Sequence, residues 1–231
     1  MKTPDLFTVL FEDNHLLLVN KSAGVLVQGD ATGDKPLVEL CKAYIKEKYQ
    51  KPGAVFLGVV HRLDRPVSGV VVLARTSKSL ERMNALFRDK ETKKIYWAVV
   101  KKKPPKESDT LIHWLLKDEK KNKTTFFIRE TPGALRSELS YRVIGTAQGH
   151  WLLEVNPITG RPHQIRVQLS SIGCPIRGDV KYGYETPNSD GRSIHLHARS
   201  LSFIHPVKKE LMKVEAPLPD DGFWNYFSHL E

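Results

Sequence analysis

Val55-Phe56-Leu57-Gly58-Val59-Val60, His61-Arg62-Leu63-Asp64-Arg65-Pro66-Val67-Ser68-Gly69 and Val70-Val71-Val72-Leu73-Ala74 follow one another without a break. The first and third pieces are apolar and rich in β-branched residues, and each reads as a buried strand. Pro66 and Gly69 end regular structure between them. The charged piece therefore lies on a loop between strands, with Arg62 and Asp64 directed to one side of locally extended chain and Leu63 to the other. A lone carboxylate crowded by His61, Arg62 and Arg65 keeps its charge near neutral pH, which suits a nucleophile or a base. A structural ion pair explains the same residues equally well.

Working outward, Phe7–Phe11 and Leu16–Val19 read as a hairpin joined by a polar turn. Residues 36–49 carry Leu37, Leu40, Cys41, Tyr44 and Ile45 at helical spacing, with Pro36 suited to the first turn and Lys51-Pro52-Gly53 as the stop. A second helix is expected over 77–89, with Leu80, Met83 and Phe87 on one face and Ser77 able to cap it. Lys93–Val100 reads as a strand in which Tyr96 and Trp97 point to opposite faces. Further strands are expected at 124–129, 138–144, 151–155, 199–204 and 211–215, and a short helix at 223–230. Pro162 opens a helix that carries Ile165, Leu169 and Ile172 and stops at Gly173. Arg161, His163, Gln164 and Arg166 gather in its first turn, where the helix dipole favours anions rather than cations, and such a local conflict points to a functional demand. Residues 176–194 read as a loop and a candidate lid.

Helix and strand signals mix without regular alternation. The expected class is α+β, a single domain over 1–231 built on a mixed, largely antiparallel sheet flanked by helices. The 231 residues carry 36 Lys and Arg against 26 Asp and Glu, a net charge of +10, which favours a polyanionic partner. No run is long enough to span a bilayer, and no apolar leader follows Met1-Lys2-Thr3-Pro4-Asp5, so a cytoplasmic protein without a membrane is the default. Cys41 and Cys174 read as reduced packing thiols. No phosphate-cradling loop and no zinc spacing occurs. His195 and His197 alternate on a strand, where packing or hydrogen bonding explains them better than metal binding.

The His61-Arg62-Leu63-Asp64-Arg65 stretch with Ser68-Gly69 resembles the central motif of the RluA-type pseudouridine synthases. Three further stretches match in the family's order. They are Lys94-Ile95-Tyr96-Trp97-Ala98-Val99; Gly160-Arg161-Pro162-His163-Gln164-Ile165-Arg166 with Gly173, Pro175, Gly178, Asp179 and Tyr182; and Leu196-His197-Ala198 with Leu201, Phe203, His205 and Pro206. Val19-Asn20-Lys21 with Gly24 fits too, although Ser22 stands where the family usually has proline. The resemblance implies the pseudouridine synthase fold and an isomerase that acts on uridine in ribosomal or transfer RNA, without metal or cofactor. It implies Asp64 as the essential carboxylate, Arg166 as its ionic partner, Tyr96 stacked on uracil, and Arg62 filling the space that the flipped nucleotide leaves. Ile165 packs near the ring, and His61, Arg161 and Gln164 join the contacts to uracil or RNA. The match begins at the start of the chain, so no separate N-terminal RNA-binding domain is expected, and the default oligomeric state is monomer. A non-catalytic RNA-binding or assembly factor that keeps the fold is the alternative reading, and a glycosidase that releases uracil is a third.

Overall fold

The computed structural model describes residues 6–30 and 32–230. The stretch Met1–Asp5, read above as lacking a leader, lies outside the described residues. The class is α+β, built on a mixed sheet, and the ladders described below are antiparallel. The chain passes between the units at 93/94, 198/199 and 217/218. Among the described residues, no helix is long and apolar enough to cross a membrane.

Unit 1 holds residues up to Lys93 together with Arg199–Pro217. It opens on the expected hairpin, β1 (Phe7–Glu12) and β2 (Leu16–Lys21). Asp13 makes the turn, since its Oδ1 accepts the N–H groups of His15 and Leu16, both at 2.8 Å. Helix α1 (Leu37–Lys48) buries Leu37, Val38, Cys41 and Ile45, with an extended Pro36 just outside its first turn. The expected strand over 55–60 shrinks to β3 (Gly58–Val59), paired with β4 (Ser68–Ala74). The reason is local: the Val72 N–H, which a longer β3 would need, is given to Nε2 of His61 at 3.2 Å. Strand β4 lies antiparallel to β2, with Lys21 opposite Gly69. Gly69 has φ +116°, a conformation that L side chains rarely adopt.

Helix α2 (Ser77–Arg88) is capped one residue earlier than expected, since Oγ1 of Thr76 accepts the Ser79 N–H at 3.1 Å. Gly58 lets β3 approach this helix, because a Cβ there would lie 2.6 Å from Leu80 Cδ2. Leu16, Leu18, Val70, Val72, Met83, Leu201 and Phe203 form the core of this unit. Here the outer part of β10 (Leu196–Ile204) pairs with β11 (Leu211–Glu215).

Unit 2 holds Lys94–Ala198 and the residues from Leu218 onward. Its strands run in the order β5 (Lys93–Val100), β9 (His150–Pro157), β8 (Leu135–Ala147), β6 (Ser108–Asp118), β7 (Lys123–Phe127). Strand β6 was not expected from the sequence. Leu111, His113 and Leu115 point inward, but the intervening Ile112, Trp114 and Leu116 are also apolar, so no alternation marks it. Helix α3 (Gln164–Ser171) starts two residues after Pro162, because the Gln164 N–H closes a turn on the Arg161 carbonyl and His163 caps the helix in the left-handed region, φ +55°. The expected C-terminal helix is a 3-10 helix, Trp224–Leu230. Its Trp224 and Phe227 pack on Trp97, Val99 and Leu152.

Residues 176–194 lack strands and hold one 3-10 turn, Val180–Tyr182. They are cross-braced: Arg177 Nη1 donates to Asn188 Oδ1 at 3.0 Å, and Asn188 Nδ2 donates to Ser193 Oγ at 2.9 Å. A lid motion within this segment would have to break those bonds. His195 faces the same network, with Asn188 Nδ2 at 3.0 Å from its Nδ1 and Asp221 Oδ2 at 3.6 Å from its Nε2. Both cysteines are buried free thiols.

Candidate active site

Asp64 stands half-buried on the turn that leads into β4, and its carbonyl accepts the Val67 N–H at 3.0 Å. Leu63 is buried beside it while Arg62 is exposed, the alternation expected of extended chain. The His61 ring is engaged within unit 1, accepting from Val72 and stacking on Phe87 with centroids 4.8 Å apart. Arg65 ties two loops, with its Nε on the Gly24 carbonyl at 3.1 Å and its Nη2 on Asp34 Oδ2 at 2.6 Å.

The residue beneath this turn is Lys21, which is fully buried. Its Nζ donates to the carbonyls of Ser22, Val25 and Arg65 at 3.0, 2.8 and 3.3 Å. The Gly24 N–H also donates to the Arg65 carbonyl, at 2.8 Å. One ammonium and one amide thus fix the Arg65–Pro66 peptide, one residue beyond Asp64. Burial pushes the Lys21 pKa down to about 7; the charge of Asp64 opposes that fall and Arg65 adds to it. No role for Lys21 was legible in the sequence, because Leu16–Val19 is buried as a continuous apolar run, and such a run does not tell which way a lysine at its end points.

The unfolded chain holds the Lys21 proton up to about pH 10.5 and the folded chain only to about 7, so stability rises with pH between those values. The expected slope is about 1.4 kcal/mol per pH unit. Urea unfolding of wild type and Lys21→Met over pH 7 to 10 checks this: the difference in stability should shift by that slope in favour of wild type. A pH-independent difference would show that the buried amine does not titrate there.

In unit 2, Tyr96 sits half-buried on β5 opposite Val155, while Trp97 turns into the core. Arg161, Gln164, Ile165 and Arg166 come together on the entry to α3. The Gln164 amide is committed to that entry: its Oε1 accepts from Thr159 Oγ1 at 2.7 Å and from the Arg161 N–H at 3.0 Å, and its Nε2 donates to the Glu138 carbonyl at 3.0 Å. It thereby sets the position of Arg161, whose side chain is exposed. Ile165 and Arg166 are buried.

Arg166 makes a two-pronged ion pair with Asp179, Nε to Oδ2 at 2.7 Å and Nη2 to Oδ1 at 2.9 Å. Such a fork fixes the guanidinium plane as well as its charge. The Tyr182 ring lies 5.0 Å from the guanidinium carbon. Its hydroxyl accepts the Thr124 N–H at 2.8 Å and shares a hydrogen bond with His163 Nδ1 at 2.7 Å. Asp179 and Tyr182, like Lys21, are residues of the candidate site whose roles the sequence left unassigned. Unit 1 therefore offers a braced carboxylate, and unit 2 offers an aromatic ring and a rigidly held guanidinium.

Residues 15–171 match the family pattern described as RNA pseudouridylate synthase. The chain is 32% identical over 215 residues to the ribosomal large subunit pseudouridine synthase C of Vibrio cholerae, covering 91% of this chain and 65% of that protein. It is 33% identical over 221 residues to the protein of the same name from Escherichia coli O157:H7, covering 93% of this chain and 67% of the relative. The chain thus spans about two thirds of the length of these curated relatives. Among solved structures, human RNA pseudouridylate synthase domain containing 4 superposes with a TM-score of 0.78 at 26% identity, over 96% of this chain and 91% of that one.

Proposed function

This chain belongs to the RNA pseudouridylate synthase family, and from that premise we propose that it isomerises uridine to pseudouridine in RNA. The observation that carries the reading is that the matched residues 15–171 include Asp64, Tyr96 and Arg166, the carboxylate, ring and guanidinium that the reaction requires. The names of the relatives make ribosomal RNA of the large subunit the first substrate to test.

In the proposed reaction the N1–C1′ bond of uridine breaks, the uracil turns while bound, and a C5–C1′ bond forms. The C5 proton leaves and N1 takes up a proton, so atoms and charge balance with no redox partner. Asp64 acts on the sugar, as nucleophile at C1′ or as base towards a ribose proton. Its turn is braced by Lys21 and Gly24, which limits the reorganisation needed during catalysis. A uridine within a stack must first be flipped out, at a cost of a few kcal/mol. The exposed Arg62 is suited to replace the lost stack and Tyr96 to receive the base. Arg166 is held flat by Asp179 and supplies a fixed positive charge.

The test is a pseudouridine map of total RNA from cells with and without the gene. Specific positions should revert to uridine without the gene and return with the wild-type copy only. Identical maps would contradict the proposal.

A further inference from the structure

Asp64 is held on its downstream side by Lys21 and Gly24, which both reach the Arg65 carbonyl. The chain upstream of Asp64 has a hold of a different kind. Strand β3 pairs Gly58 with Ala74 and Val59 with Leu73, a register that would next set Val60 opposite Val72. The pairing stops there. The Val72 N–H instead meets Nε2 of His61 at 3.2 Å, so an imidazole stands where a backbone carbonyl would continue the ladder. The main chain at residue 61 is thereby kept off β4 by the length of a side chain. The next three residues follow the path that leaves Arg62 exposed, Leu63 buried and Asp64 half-buried on its turn.

The ring is fixed in two directions. Its Nε2 accepts from Val72, and its face stacks on Phe87 of α2, with centroids 4.8 Å apart and planes 18° from parallel. Phe87 packs in turn on the core of unit 1. Val72 is fully buried, so its N–H needs an acceptor. Without the imidazole, the pairing register offers the Val60 carbonyl, and taking it would draw the residues that lead to Asp64 in towards β4. Because Nε2 accepts, the ring carries its proton on Nδ1.

We propose that His61 is a positioning residue for Asp64: its imidazole takes the place of a backbone acceptor beside β4, ends β3, and so sets where the carboxylate stands. The proposal rests on the reading of Asp64 as the reacting carboxylate of a pseudouridine synthase and adds the upstream half of its support. This role differs from the contact to uracil or RNA that the family resemblance implies for His61. A carboxylate displaced by about 1 Å can cost roughly 10²-fold in rate, so the loss belongs in kcat rather than in the KM for RNA.

The experiment compares wild type with His61→Phe, which keeps a ring against Phe87 but has no acceptor, and His61→Gln, whose side-chain carbonyl restores one. KM and kcat are measured on ribosomal RNA, and urea unfolding confirms that each variant is folded under assay conditions. His61→Phe should lower kcat by roughly 30- to 100-fold with KM within about twofold of wild type, and His61→Gln should regain at least about tenfold of that loss. A raised KM with kcat unchanged would make His61 an RNA contact and overturn the proposal. So would a fully active His61→Phe, or a His61→Gln no better than it. Nitrogen-15 spectra of the wild-type imidazoles give a test that needs no variant: at neutral pH His61 should show the Nδ1–H form, and a proton on Nε2 would overturn the proposal. Failure of the proposal alone leaves wild-type turnover intact, whereas a wild-type protein that forms no pseudouridine overturns the reading beneath it.

Discussion

Asp64→Asn is expected to abolish pseudouridine formation, with kcat reduced by at least ~10³-fold, while RNA binding should stay within about twofold of wild type. The substitution keeps the side chain's volume and removes only its charge and basicity. The Arg65–Pro66 peptide remains held by Lys21 and Gly24, so the turn should keep its shape. Phosphate contacts supply most RNA affinity and none of them needs this carboxylate, so affinity and turnover should separate. The change also removes the charge that supports protonated Lys21, and the Lys21 pKa should fall below its value of about 7. Single-turnover assays on ribosomal RNA with binding measured in parallel check the first part. Turnover near the wild-type rate would remove Asp64 from the chemistry.

Asp179→Asn is expected to cost about 3 to 5 kcal/mol of stability, because it leaves the Arg166 guanidinium buried without the carboxylate that faces it through two bonds. Both side chains are almost fully inside, 6% and 1% exposed, so water cannot replace the lost partner. The double variant Arg166→Met, Asp179→Leu should recover much of the loss, since an apolar pair of similar volume removes the need to bury charge. It should nevertheless remain inactive, because the guanidinium is gone. Denaturant unfolding and turnover of the single and double variants, treated as a cycle, check both statements. A double variant as active as wild type would show that Arg166 serves only to hold the fold.

Much of unit 1 was legible because its signals are local. The β1–β2 hairpin has a polar turn between two apolar runs, and α1 has a clear period and a stop. Where the reading failed, a side chain had displaced a regular pattern. His61 takes the Val72 N–H and so ends β3, and the cap of α2 falls on Thr76 rather than Ser77. Strand β6 escaped because it is apolar on both faces. The site was legible where one segment carried it, as around Asp64. It was not legible where the chain had to close on itself: the ion pair of Arg166 with Asp179 and the three carbonyls around Lys21 are set by tertiary packing, which leaves no periodic trace.

The central claim is that this chain breaks a glycosidic bond and rebuilds it at carbon five of the same base. Ribosomal RNA made with tritium at C5 of uridine tests that most directly, because only the new C5–C1′ bond requires the C5 hydrogen to leave. Purified protein should release tritium to water in step with pseudouridine formation, with no free uracil and with no release by Asp64→Asn. Bound RNA without tritium release, or uracil set free, would contradict it.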